Sequence, residues 1–146
     1  MNVLPVLTAT EDCLYRVAVK AIIIKDDMVL LVQDNRDTAW TFPGGGVDYG
    51  ETAKAAMKRE LVEEIGITHD DIISMEAHPQ TIIGHIKSGV PRCNMHFFVT
   101  VNPAAKLSPT QEVQKLAWVN INQLQNEEFD ATAGPKAQIL SLFNPS

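Results

Sequence analysis

Positive charge, cysteine and long apolar stretches are what this sequence has little of. Twelve lysines and arginines stand against eighteen aspartates and glutamates, a formal net charge of -6 over 146 residues. Affinity for polymeric phosphate comes mainly from basic side chains, so this balance argues against a nucleic-acid polymer as partner. A small phosphate ester stays open to such a protein where a divalent ion dominates the local field. The two cysteines, Cys13 and Cys93, lie far apart and form no CxxC pattern. They point to a reducing, cytoplasmic setting and to idle thiols. No apolar run approaches the roughly 20 residues that span a bilayer, so no membrane partner is expected. Met1 to Asp12 has no lysine or arginine and only a short apolar segment, Val3 to Leu7, which is not the pattern of a signal peptide. There is no G-x-S-x-G, and no cysteine–histidine pattern, to support covalent acyl chemistry. His78, His85 and His96 show no metal-ligand spacing and read as strand or loop residues, with a pocket role for one of them left open.

What is present fits one domain over residues 1–146, large enough to bury roughly 68–70% of the surface an unfolded chain exposes. Tyr15 to Ile24 reads as a strand, Lys25-Asp26-Asp27 as a tight turn, and Met28 to Gln33 as its hairpin partner. Trp40 to Gly50, rich in glycine and aromatics, reads as a loop. Glu51 to Ile65 consists of good helix formers, and Gly66 follows as a stop. Ile72 to Ile86 is strand material interrupted near His78-Pro79, with further strands at Asn94 to Val101 and Gln114 to Val119. Short helices are predicted at Ile121 to Phe129 and Pro135 to Phe143. The order implies an α/β fold, a sheet with helices packed on its faces.

On the helix after Glu51, residues are displaced by about 100° each, so Glu60, Glu63 and Glu64 share a sector of roughly 100°. Like charges at this spacing cost a few tenths of a kcal/mol per pair, and folding alone supplies no reason for them. A hard divalent cation does, because magnesium prefers oxygen ligands. Arg59, four residues before Glu63, is placed to hydrogen-bond it and fix its rotamer. Ala53 and Ala56 lie beside the acids and read as helix formers; Met57, Leu61 and Ile65 form the apolar side. Glu51 falls across the wheel, as a charge in the first turn or a partner for the Arg59 side. Trp40 and Phe42 read as hairpin packing, with Phe42 the better of the two for stacking on a substrate. Arg16, on the first strand, is a candidate for a phosphate or base edge.

Gly45 to Ile67, GGVDYGETAKAAMKRELVEEIGI, satisfies G, five residues, E, seven residues, REUXEEXGU, where U is aliphatic. Nine constrained positions at fixed spacing make a specific signal. In this the sequence resembles the Nudix hydrolases, the MutT-like pyrophosphohydrolases. The resemblance implies an α/β/α sandwich around a mixed sheet. It also implies a magnesium site, with manganese as a substitute, in which Glu60 and Glu64 are metal ligands and Glu63 is a further ligand or orients water. Arg59 would position the glutamates, and the Gly44 carbonyl would be another ligand. Glu112, six residues before Trp118-Val119, is the candidate for a later-loop glutamate that completes the site. The implied reaction is in-line attack by a metal-activated water on a small nucleotide-like X-P-P-nucleoside. The rival is an idle nucleotide-binding domain, which the unbroken REUXEE disfavours. RNA-end processing keeps the chemistry, but the acidic charge argues against it. A homodimer is left open. Downstream, Ile82 and Ile83 stand where ADP-ribose hydrolases have a proline and dinucleoside polyphosphate hydrolases a tyrosine. The SQPWPFPxS motif of NADH hydrolases is absent, and Asp130 is only loosely placed for purine recognition.

Overall fold

The computed structural model describes residues 14–35, 40–85 and 90–125. Eight strands and one α-helix fall within them: β1 (Arg16–Ile22), β2 (Ile24–Lys25), β3 (Met28–Asp34), β4 (Trp40–Thr41), β5 (Gly44–Gly46), α1 (Ala53–Ile65), β6 (Ile72–His85), β7 (Pro91–Val101) and β8 (Val113–Asn120). One sheet runs β5-β1-β7-β6 and is mixed, since β1 and β7 are parallel and the other pairs antiparallel. In the other sheet β3 is central, with β8 along one edge and β2 and β4 along the opposite edge.

The side-chain period of two explains how β3 joins two cores. Leu30 and Val32 pack with Ala56, Met57, Leu61 and Ile65 of α1 and with Val19 and Phe97 of the mixed sheet. Val29 and Leu31 point the other way, to Ile22, Val119 and Leu124. A strand buried on both faces has no polar alternation, which is why Val29 to Val32 read as a continuous apolar run.

The helix begins where its chemistry directs. Thr52 is extended and its hydroxyl accepts the Ala55 amide at 3.1 Å, while Gly66 takes the left-handed conformation at φ 70° that ends the last turn. β6 carries a register shift between Ala77 and Thr81, spanning the predicted interruption, because Pro79 has no amide hydrogen to donate. Two readings change. The first strand stops at Ile22 and restarts as β2, and it is β2 that forms the hairpin with β3, while β1 pairs with β5 and β7 in the other sheet; the segment read as a loop holds β4 and β5. Glycines carry no strand pattern; Gly44 to Gly46 are extended because they pair with Lys20, Val19 and Ala18. Of the predicted helix from Ile121, the described part, Ile121–Gln125, is a 3-10 turn. Its remainder and the helix from Pro135, with Asp130 and Cys13, lie outside the described residues, as do the side chains of Ile82, Ile83 and His85. No described helix is long and apolar enough to cross a membrane.

Candidate active site

The guanidinium of Arg59 organises the acidic face of α1. Its Nε donates to Glu51 Oε1 at 2.8 Å and its Nη1 to Glu60 Oε1 at 2.9 Å and Glu63 Oε2 at 3.1 Å. Nη2 donates to Glu51 Oε2 and to the Gly46 carbonyl, both at 3.0 Å. One side chain therefore ties the start of the helix, two of its acids and β5 together. Glu51, across the wheel from the other acids, proves to be the main anchor of that arginine. The Arg59 hydrogen bond holds the Glu51 carboxyl down at about 2. The guanidinium is in turn driven above its usual range, chiefly by Glu51.

β5 brings backbone against the acids. Gly44 sits at φ 141°, and a Cβ there would come within 2.0 Å of the Val19 carbonyl oxygen, so only glycine fits. At Gly45 a Cβ would meet Glu60 Oε1 at 2.4 Å. Glu64 Oε2 accepts the Gly44 amide at 2.9 Å. Burial pushes the Glu64 carboxyl up to about 7, against the pull of that amide and of Lys20. Glu60 is buried too and is likewise raised, burial outweighing Arg59.

Glu112 comes from the segment before β8. Ser108 donates its amide to the Ile65 carbonyl at 3.0 Å, and the Thr110 hydroxyl donates to the Glu63 carbonyl, so this segment is laced to the end of α1. The Asn35 amide donates to the Glu112 carbonyl at 3.4 Å, and the Asn35 side chain to the carbonyl of Gln111. As a result one carboxylate oxygen from each of Glu60, Glu63 and Glu112 lies within 4.8 Å of the others. Such a set fits a hard divalent cation, which takes carboxylate oxygens and water. Glu64 is not in that trio; it is turned toward Gly44.

A cleft of about 560 Å³ opens beside these acids. Glu60, Glu64 and Glu112 line it from α1 and the pre-β8 segment, and Arg16, Lys20 and Arg92 from β1 and β7. Lys20 Nζ lies 3.4 Å from the Phe42 carbonyl and 3.5 Å from that of Gly44. Burial lowers its pKa, and Glu64 opposes the shift. Of the residues expected here, Arg16 lines the cleft. Phe42 does not: at 2% exposure it packs with Ile22, Leu31 and Val119 and meets His96 edge-on, ring centroids 5.9 Å apart. The expectation that Phe42 stacks on substrate is corrected, because its place on the chain turns it into the second core. Lys20 and Arg92 were missed. Lys20 follows Arg16 by four residues in a strand, so the period of two already puts them on one face. Arg92 has no such signal, because only the parallel register of β1 and β7 sets it opposite Arg16.

Helix-borne carboxylates gripped by an arginine lie beside a cleft lined by both charges, and three of the acids are close enough together to hold a metal ion. The NUDIX domain family model matches residues 14–142, and the chain belongs to that family. It is 59% identical to an RNA pyrophosphohydrolase of Vibrio vulnificus (strain YJ016) over 34 residues, which is 23% of this chain and 20% of that relative. Against an RNA pyrophosphohydrolase of Francisella tularensis subsp. mediasiatica it is 46% identical over 59 residues, 40% of this chain and 38% of that one. The matched part is thus well under half the length of either relative. Among solved structures, a MutT NUDIX hydrolase from Burkholderia pseudomallei superposes with a TM-score of 0.71 at 20% identity, covering 91% of this chain and 99% of the other. Likeness at that identity shows the shared fold.

Proposed function

We propose that this protein hydrolyses the pyrophosphate linkage of a small nucleoside diphosphate derivative, with magnesium, or manganese in its place, held by Glu60, Glu63, Glu64 and the Gly44 carbonyl. The observation that carries this reading is the convergence of Glu60, Glu63 and Glu112 beneath an unbroken REUXEE segment. An idle binding domain would have no use for a complete acid set whose mutual repulsion costs stability.

A bound divalent cation lowers the pKa of a water and screens phosphate charge. The chain's own residues do the rest. Arg59 holds Glu60 and Glu63 in single rotamers, so little ordering is left for the moment of reaction. Arg16, Lys20 and Arg92 attract the non-bridging phosphate oxygens and aim the linkage at the acids. Water adds in line to one phosphorus, the bond to the bridging oxygen breaks, and the water's proton passes to a carboxylate, for which Glu112 is the candidate.

Hydrolysis is expected to stop in excess chelator and to return with magnesium; full activity in chelator would overturn the reading. The rate should also rise with pH through about 7, where Glu64 loses its proton. Because cation and proton compete for the same oxygens, saturating magnesium should move that rise to lower pH. Glu112→Gln should lower kcat at least tenfold, roughly the minor share of a proton acceptor. It should leave Tm nearly unchanged, since Glu112 is exposed. An unaltered kcat would take Glu112 out of the reaction. The substrate is found by assaying nucleoside triphosphates, ADP-ribose, nucleotide sugars and dinucleoside polyphosphates. RNA belongs in that panel because the Vibrio and Francisella relatives are RNA pyrophosphohydrolases.

A further inference from the structure

Three buried polar atoms along β7 have no hydrogen-bond partner among the described residues: Arg92 Nε, Asn94 Oδ1 and His96 Nδ1. They are alternate residues of one strand, so they share a face, with about 7 Å between successive side chains. An orphaned buried polar group costs about 1–3 kcal/mol, and most such groups in native proteins are paired. Three in register on one face are placed to bind ordered water or a ligand that displaces it.

Their surroundings say where the ligand lies. Arg92, Asn94 and His96 stand opposite Arg16, Ala18 and Lys20 of β1, and Gly46 and Gly44 of β5 continue the rows through Ala18 and Lys20. The middle row, Gly46-Ala18-Asn94, carries no side chain of its own larger than a methyl until Asn94, and the Arg16 guanidinium lies over Gly46. Arg16 and Lys20 flank this row on β1, and both line, with Arg92, the same cleft as Glu60 and Glu64. His96 is only 5% exposed and packed against the edge of Phe42. Burial holds its imidazole down at about 4, so at neutral pH it is uncharged, with one donor and one acceptor nitrogen.

We propose that Asn94 and His96 are specificity-determining residues that read the hydrogen-bonding edge of the substrate's nucleobase, while Arg92 takes its phosphate or sugar oxygens. An amide and a neutral imidazole offer donors and acceptors without net charge, which suits an uncharged heterocycle rather than a second phosphate. Removal of matched polar partners is what discriminates most strongly between otherwise similar ligands. The proposal rests on the hydrolase reading for the placement of the phosphates, but base recognition is separable from turnover.

The test is calorimetric binding, in chelator, of the four common nucleoside 5′-monophosphates and of ribose 5-phosphate, with turnover measured in parallel. At least one nucleotide is expected to bind tenfold or more tightly than ribose 5-phosphate. His96→Phe, which keeps a ring against Phe42, and Asn94→Leu should each abolish that preference. Both should hold or raise Tm, because each removes an orphaned polar atom, whereas loss of a merely structural contact would lower it. In turnover they should raise KM by tenfold or more with kcat within a factor of about three. Nucleotides bound no better than ribose 5-phosphate, or a preference that survives both substitutions, would overturn the proposal. A preference lost in both variants of a protein that hydrolyses nothing with magnesium would leave base recognition standing and overturn the hydrolase reading instead.

Discussion

Glu64→Gln should cut turnover by at least about 10²-fold, the loss typical of removing a principal electrostatic group from a reaction site. The amide can still accept the Gly44 amide hydrogen through its oxygen, so the local backbone is kept. What goes is the charge. In metal-free protein the substitution should be stabilising, with a size that depends on pH. Burial raises the Glu64 carboxyl from 4.5 to about 7. The native state therefore binds more protons than the unfolded state between those values, and the wild type loses stability as pH rises through that window. A neutral amide has no such loss. The variant should match the wild type near pH 4.5 and exceed it above pH 7 by up to about 3.5 kcal/mol, since each pH unit crossed in that window costs the wild type about 1.4 kcal/mol. Added magnesium should reverse the ranking at pH 8, because only a protein that binds the ion gains stability by mass action. Thermal melts of both proteins, with magnesium and with chelator, at pH 5 and pH 8 read all of this. A fully active variant, stabilised by magnesium as much as the wild type, would show Glu64 to be a surface charge.

Arg59→Lys should be nearly as damaging to turnover as loss of an acid, by about 10- to 100-fold, although it keeps the charge. The guanidinium donates five hydrogen bonds in fixed directions to Glu51, Glu60, Glu63 and Gly46. An ammonium has three donors on one atom and cannot span that set. Arg59→Ala should cost stability as well, by about 2 kcal/mol, below the 3–5 of a fully buried pair because the arginine is part-exposed. The penalty should depend on acid. The Glu51 carboxyl, held at about 2 mainly by Arg59, contributes stability above pH 4.5 and loses it as pH falls toward 2. The gap in Tm between wild type and Arg59→Ala should thus narrow on acidification below pH 4.5. A lysine variant with unchanged kcat, or a gap that does not narrow, would mean that the arginine is a solvated charge.

Local rules determined a good part of this molecule before any fold was known. The helix stop at Gly66, the tight turn between β2 and β3, the break at Pro79, the apolar side of Met57, Leu61 and Ile65, and the shared face of Glu60, Glu63 and Glu64 follow from residue type and a period of 3.6 or 2. These are relations between neighbours in sequence, so neighbours suffice to state them. Tertiary structure decided the rest, because it depends on which distant strands meet. Three glycines became β5 only by pairing with β1. Phe42 went to the second core because β3 presents Val29 and Leu31 on the face away from α1. Glu51 became the arginine's anchor because the segment before the helix and β5 both come within reach of the Arg59 guanidinium. Lys20 and Arg92 reached the same cleft as the acids, and Asn94 and His96 fell in line with them, through a parallel register between strands some seventy residues apart. No local pattern encodes such a register, since it is set by burying both sheets against one helix.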